Sequence, residues 1–141
     1  ISRYVRKLTG LYPTDPYQAL LCDEVLSALE DANNKLVATF GLTGEAMKEA
    51  RTALVAGPLT TYLRWLDQQL QAHGGVFFAD GRLTIADLKV FGYVQGLNSG
   101  RLDHVPTDLV ARVAPGVQAH MQRIAALPEI AAYYAKFAPK A

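Results

Sequence analysis

The 141-residue chain has a single cysteine, Cys22, so it can form neither an internal disulfide nor a metal site built on two cysteines. Its three histidines, His73, His104 and His120, fall in separate segments, and none has the spacing from a second ligand that a zinc site requires. The sequence also lacks a GxSxG elbow, a phosphate-binding glycine loop and an HExxH motif. We therefore expect no metal and no self-contained active site.

Strong net charge and long apolar runs are missing as well. The formal net charge is +1 and the basic residues are dispersed, which argues against nucleic acid as a partner. No apolar run approaches the ~18 residues of a membrane span, and no signal peptide opens the chain, so no membrane partner is expected. Half of the residues are hydrophobic, which at this length is enough for one sizeable core.

Apolar residues recur at helical spacing, and no segment alternates with period two for long enough to indicate a sheet. The first segment predicts a short helix that ends at Gly10. Asp15 is a good N-cap and Pro16 suits the first position of a helix, so a long helix is expected to run from there to about Gly41. The predicted fold class is therefore an all-α helical bundle.

A second long helix is predicted from about Thr43 to Ala72. Pro58 removes a backbone hydrogen bond within it, so a kink or a break into two helices is expected near Gly57. The C-terminal region is divided by further prolines into short helices, the prolines being Pro106, Pro115 and Pro128.

The segment LTIADLKVFGYV carries the signature of a capped core helix. Thr84 is placed to cap the helix, and Asp87, three residues later, can accept a hydrogen bond from the Thr84 amide. Leu83 and Leu88 have the spacing of a hydrophobic staple. We interpret Thr84 and Asp87 as a structural cap, and Asp87 as a buried folding determinant rather than a catalytic acid.

The order of these segments resembles the C-terminal half of cytosolic glutathione transferases, most closely the sigma class. The similarity rests on ISRYVRKLTGLYP at the start, on the capped LTIADLKVFGYV segment, and on LDHVPTDLV followed by P-x-x-x-x-H-x-x-R-I and LPEIAAYY. The resemblance implies an all-helical domain of the glutathione transferase type at residues 13–141. Residues 1–12 would be the end of the last thioredoxin-domain helix and the linker.

The resemblance also implies a division of labour between domains. A thioredoxin-like domain, absent from this chain, would bind glutathione and supply the catalytic hydroxyl, so no catalytic residue is assigned here. The chain does not begin with methionine, and Ile1 already stands in a helix-like segment, so the sequence is interpreted as a fragment or a processed piece.

Within the helical domain, the resemblance assigns Asp31 to glutathione bound on the other subunit of a homodimer. Without the resemblance, the acidic residues around Asp31 would be interpreted as a solvated helix face. Ser27 stands where some animal sigma members carry a metal-binding acid, which again predicts no metal. The electrophile pocket is assigned to Asn33, Asn34, Val37, Ala38, Lys89, Gly92 and Tyr93. Small residues there, such as Gly92 and Ala38, leave room for a bulky substrate or allow close helix packing.

The implied function is that of a cytoplasmic glutathione transferase. As a homodimer, the full-length protein would conjugate glutathione, its co-substrate, to small hydrophobic electrophiles. An isomerase that uses glutathione as cofactor would have the same fold. The alternative from another class is a non-catalytic interaction or structural subunit of a larger assembly, because fold does not guarantee activity.

Overall fold

A computed structural model describes residues 2–138 and, among them, every side chain except those of Ser2, Arg3 and Arg6. Ile1 and residues 139–141, which belong to the predicted first helix and the predicted domain, lie outside the described residues. All regular structure between residues 2 and 138 is helical, so the predicted fold class is confirmed. The α-helices are α1 (Ser2–Leu8), α2 (Pro16–Val37), α3 (Gly44–Leu54), α4 (Thr60–Ala72), α5 (Ile85–Asn98), α6 (Leu109–Val113), α7 (Pro115–Ala125) and α8 (Pro128–Ala135).

Helix α2 begins as its sequence predicts. The Asp15 carboxylate accepts a hydrogen bond from the Gln18 amide at 2.9 Å, and Pro16 occupies the first turn. The helix ends at Val37, four residues before the predicted Gly41, because the chain tightens into turns there. In those turns the Thr39 amide donates to the Leu36 carbonyl, and the following amide donates to the Val37 carbonyl.

Helices α3 and α4 are joined by a π-helical turn, Val55–Leu59, which contains Pro58. The interruption therefore falls where the proline predicts it, but as a widened turn rather than a break. A proline lacks the N–H that an α-helix requires and crowds the preceding turn, and the wider turn accommodates both effects. Within this turn the Thr60 hydroxyl donates to the Val55 carbonyl at 2.6 Å.

The core lies where α5 packs against α2 and α7, and α4 packs against α7 and α2. Its fully buried side chains come from every one of these helices, and Cys22 is among them. No residue of α8 is buried, so this last helix lies against the surface of the bundle. No helix within residues 2–138 is long and apolar enough to cross a lipid bilayer.

Candidate ligand-binding cleft

An open cleft of about 1030 Å³ runs along α2 and α5. This volume is at the upper end of the range of small-molecule pockets. The α2 side chains that line it recur every three or four residues, so they form one face of the helix: Leu26, Leu29, Glu30, Asn33 and Leu36. On α5 the lining widens toward the C-terminal end of the helix and comprises Leu88, Lys89, Gly92, Tyr93, Gln95, Gly96 and Leu97. The lining is completed by Phe40, Ser99, Arg101, Leu102 and Tyr134 of α8.

The cleft combines apolar walls with three charged side chains. Leucine and aromatic side chains are among its lining residues, and Glu30, Lys89 and Arg101 bring charge. None of the three forms an ion pair with another described residue. An apolar cavity with a few polar groups is the usual composition of a site for a small organic ligand.

Two glycines leave a strip of the α5 backbone uncovered inside the cleft. A Cβ atom added at Gly92 or at Gly96 would meet no heavy atom within 4 Å. Neither glycine is therefore needed for close helix packing in this chain. Of the two roles that the sequence allows for Gly92, close packing is excluded and room for a ligand remains. Glycine in a helix interior lowers stability relative to alanine, and no packing contact within the described part of the chain requires a glycine at either position.

Tyr93 lies between these glycines with its hydroxyl buried and without a hydrogen-bond partner among the described residues. Burial raises the pKa of this phenol to about 12. The group therefore stays protonated and neutral at physiological pH. Its ring lines the cleft.

The cleft brings together four of the seven residues assigned to an electrophile pocket, namely Asn33, Lys89, Gly92 and Tyr93. The other three, Asn34, Val37 and Ala38, are exposed and are not part of the lining. Glu30 and Phe40 line the cleft although the sequence reasoning did not assign them to it. Glu30 lies three residues before Asn33 and four residues after Leu26, and this helical spacing could have predicted that it shares their face of α2.

Asp31 is exposed on α2 and does not belong to the cleft. It follows Glu30 directly, so its side chain leaves the helix about 100° further around the axis, as the 3.6-residue turn requires. The two neighbouring acids thus lie on different faces of α2: Glu30 lines the cleft, whereas Asp31 does not.

The N-terminus of α5 is fixed by a buried polar cluster next to the core. One oxygen of Asp87, Oδ2, accepts hydrogen bonds from the Thr84 amide at 2.8 Å and from the Thr84 hydroxyl at 3.1 Å. The other oxygen, Oδ1, accepts from the Phe78 amide at 3.2 Å and lies 2.9 Å from Nε2 of His120. Thr84, Asp87 and His120 are fully buried. The cluster therefore holds α5, and with it one wall of the cleft, against α7.

The sequence analysis did not predict the contact between His120 and Asp87. The available signal was the position of His120 between Val117 and Ile124 on the apolar stripe of α7, which places it inside. Within residues 2–138, no three His, Cys, Asp or Glu side chains are grouped as metal ligands.

Residues 30–137 match the family model described as glutathione S-transferase, C-terminal domain. Among solved structures, the fold is similar to prostaglandin synthase D of Nilaparvata lugens, with a TM-score of 0.84 and 19% sequence identity. The match covers 96% of this chain and 65% of that one, so the chain spans about two thirds of the length of this relative. At such low identity the likeness establishes the fold alone.

Proposed function

Because the chain belongs to the glutathione S-transferase C-terminal domain family, we propose that it is the helical part of a glutathione transferase acting on small hydrophobic electrophiles. In this proposal residues 1–12 end a thioredoxin-like domain, which supplies the glutathione site and the catalytic hydroxyl. The intact protein is a cytoplasmic homodimer of the sigma type. This chain contributes the electrophile pocket and part of the dimer contact.

The observation that carries the proposal is the cleft between α2 and α5. It has the volume of a small-molecule site, walls of leucine and aromatic side chains, and an uncovered backbone strip at Gly92 and Gly96. An apolar electrophile gains free energy by leaving water for such walls. Lys89 and Asn33 are polar residues of the same lining and can orient the electrophile by hydrogen bonding.

The chemistry that this chain contributes is proximity. A thiol with a pKa of ~8.5 is mostly protonated at neutral pH, and the other domain has the task of lowering that value. Holding the electrophile beside the resulting thiolate converts a reaction of two free molecules into one within a complex, which lowers the barrier substantially. No side chain of this chain has to accept or donate a proton in that step.

A related reaction is a second candidate. The structural relative is named as a prostaglandin synthase D, so glutathione-dependent isomerisation of a small apolar substrate is worth testing beside conjugation. The same cleft would hold that substrate. The two reactions differ in product, since only conjugation consumes glutathione.

The test is a conjugation assay on the full-length native protein with a panel of electrophiles of increasing size. Gly96→Leu places a large side chain in the cleft and should abolish turnover of bulky electrophiles while glutathione binding persists. Gly96→Ala and Ala119→Leu are controls: the first adds only a methyl group, and the second adds the leucine at an exposed position of α7 that is not part of the lining. Neither control should lose activity.

Conjugation by the native protein, with selective loss in Gly96→Leu, would support the proposal. Equal activity of Gly96→Leu toward every electrophile would place the substrate elsewhere. Absence of any glutathione-dependent reaction would favour the non-catalytic interaction subunit.

A further inference from the structure

Arg51 is a buried cation without a carboxylate partner. It belongs to α3, its residue exposure is 6%, and it forms no ion pair with the described residues. A guanidinium group stays charged in proteins, and moving it out of water is costly unless its N–H groups find acceptors. The contacts that compensate this burial therefore define what the residue does.

Those contacts reach in two directions. Nε of Arg51 donates to the Thr39 hydroxyl oxygen at 3.0 Å, and Nη1 donates to the Asp103 carbonyl at 3.0 Å. The Thr39 hydroxyl donates in turn to the Leu36 carbonyl at 2.7 Å, within the last turn of α2. The Arg51 Cζ atom also lies 5.8 Å from the centroid of the Phe40 ring, which is a cation–π distance. One side chain thus connects the end of α2 with the segment that follows α5.

Both connected segments form walls of the cleft, although Arg51 itself is not part of the lining. Leu36 and Phe40 line it from the end of α2, and Arg101 and Leu102, directly before Asp103, line it from the other side. Phe40 is 56% exposed, so few contacts within the described chain restrain its ring. The Arg51 guanidinium is one of those few.

We propose that Arg51 is a positioning residue that sets the shape of the cleft, by holding Phe40 and the 101–103 segment at a fixed separation. An arginine suits this task, because its planar fork donates in two directions while its charge lies over an aromatic ring. A lysine carries the same charge but cannot make both hydrogen bonds in that geometry. The inference that this cleft binds an electrophile, and with it the use of electrophile KM as the measurement, rests on the proposed transferase function.

The experiment uses the full-length native protein and two matched pairs of variants. Thr39→Val removes the hydroxyl that joins Arg51 to α2 at nearly constant volume, and Thr39→Ser keeps it. Arg51→Lys keeps the charge and loses the fork, and Lys48→Arg is its control on the exposed side of the same helix. For each variant we would measure the melting temperature, the KM of glutathione, and the KM and kcat of one small and one bulky electrophile.

Thr39→Val and Arg51→Lys should raise the KM of the bulky electrophile, by up to about tenfold where binding must restore the cleft wall that the lost hydrogen bond to a charged group had held. The KM of glutathione and the kcat of the small electrophile should stay constant. Thr39→Ser and Lys48→Arg should behave like the native protein. If the melting temperature falls while the KM values of both electrophiles stay in their native ratio, Arg51 is only a stabilising residue and the inference is wrong.

A binding measurement separates this inference from the proposed function. The apolar fluorescent dye anilinonaphthalene sulfonate is titrated into the native protein and the four variants without glutathione. Weaker dye binding in Thr39→Val and Arg51→Lys alone would support the positioning role, even if no electrophile is conjugated. Identical dye affinity and identical electrophile KM values in all variants would overturn it.

Discussion

Nε2 of His120 lies 2.9 Å from Oδ1 of Asp87, and both side chains are completely buried. The two residues are 33 positions apart, so the contact ties α7 to the first turn of α5. The Phe78 ring and the imidazole pack edge to face with their centroids 5.0 Å apart, and the Phe78 amide donates to the same carboxylate oxygen. Asp87 therefore joins three segments: its own helix, α7 and the loop between α4 and α5.

Replacing Asp87 should destabilise the fold much more than replacing an exposed cap. Asp87→Ala removes the acceptor of four polar contacts and leaves His120 and two amides buried without it, a loss of about 3–5 kcal/mol. Asp15→Ala removes one exposed N-cap bond, worth about 1 kcal/mol. Urea denaturation of both variants measures the difference. Equal losses would mean that the buried cluster contributes no more than an ordinary cap.

The Tyr93 phenol should make stability fall at high pH. Its pKa is raised by burial from 10.0 to about 12 in the folded chain. Between these two values the unfolded state has released the proton and the folded state still binds it, so stability falls as pH rises, by up to about 1.4 kcal/mol per pH unit. Below the unfolded pKa this contribution is fully present.

Tyr93→Phe is the matched variant for that titration. Denaturant unfolding from neutral pH to pH values above the native pKa should show a shallower decline in the variant than in the native chain. At neutral pH the variant should be equally stable or more stable, because it removes a buried hydroxyl that has no partner among the described residues. Parallel pH profiles for the two proteins would contradict the raised pKa.

Local sequence patterns predicted the helices well because each rests on contacts within a few residues. The Asp15–Pro16 start of α2, the interruption at Pro58 and the proline-limited helices of the C-terminal region all depend on backbone chemistry near one residue. The end of α2 was placed too late. Its last turn is shaped by Thr39, whose hydroxyl is held by Arg51 from another helix.

The cleft was predictable only in part, for the same reason. Lys89, Gly92 and Tyr93 follow from the resemblance to a known family, and the structure places all three on one wall. Arg51 lies four residues after Met47 and three before Leu54, which places it on the inward face of α3, but its hydrogen-bond partners could not be assigned from sequence. Its role depends on Asp103, which is 52 residues away.

Alanine substitutions at two helical glycines should have opposite consequences. Gly92→Ala meets open space and should raise the free energy of unfolding by about 0.5–1 kcal/mol, the usual difference between the two residues in a helix. Gly116→Ala places a methyl group 2.6 Å from Oδ1 of Asp67 and 2.6 Å from Nε2 of Gln71. Both side chains, or the α7 backbone itself, must then move.

Movement of Asp67 is costly because its Oδ1 accepts the hydrogen bond of the Val117 amide at 2.9 Å, in the first turn of α7. Losing that cap costs about 1 kcal/mol and cancels the helix-propensity gain of alanine. Thermal unfolding should therefore rank Gly92→Ala above the native chain and Gly116→Ala at or below it. A more stable Gly116→Ala would show that Asp67 and Gln71 adjust freely.

The neighbouring acids Glu30 and Asp31 should affect different substrates in the full-length protein. Glu30 lines the cleft, so Glu30→Gln should change the KM of the electrophile and leave glutathione affinity unchanged. Asp31 is exposed on another face of α2. The resemblance to the sigma class assigns its carboxylate to the ammonium group of glutathione on the other subunit of the proposed homodimer, where it would accept a charge-assisted hydrogen bond. Asp31→Asn should therefore weaken glutathione binding about tenfold, as loss of one charge-assisted hydrogen bond predicts.

Because both substitutions remove one negative charge from adjacent positions, each is the control for the other. A general electrostatic effect would change both the glutathione affinity and the electrophile KM in both variants, and these changes would become smaller with added salt. Isothermal titration with glutathione, together with electrophile kinetics, separates these cases. If Asp31→Asn binds glutathione as the native dimer does, the cross-subunit contact is wrong and Asp31 is an ordinary surface acid. If Glu30→Gln alters only glutathione affinity, the electrophile does not lie beside Glu30 in the cleft.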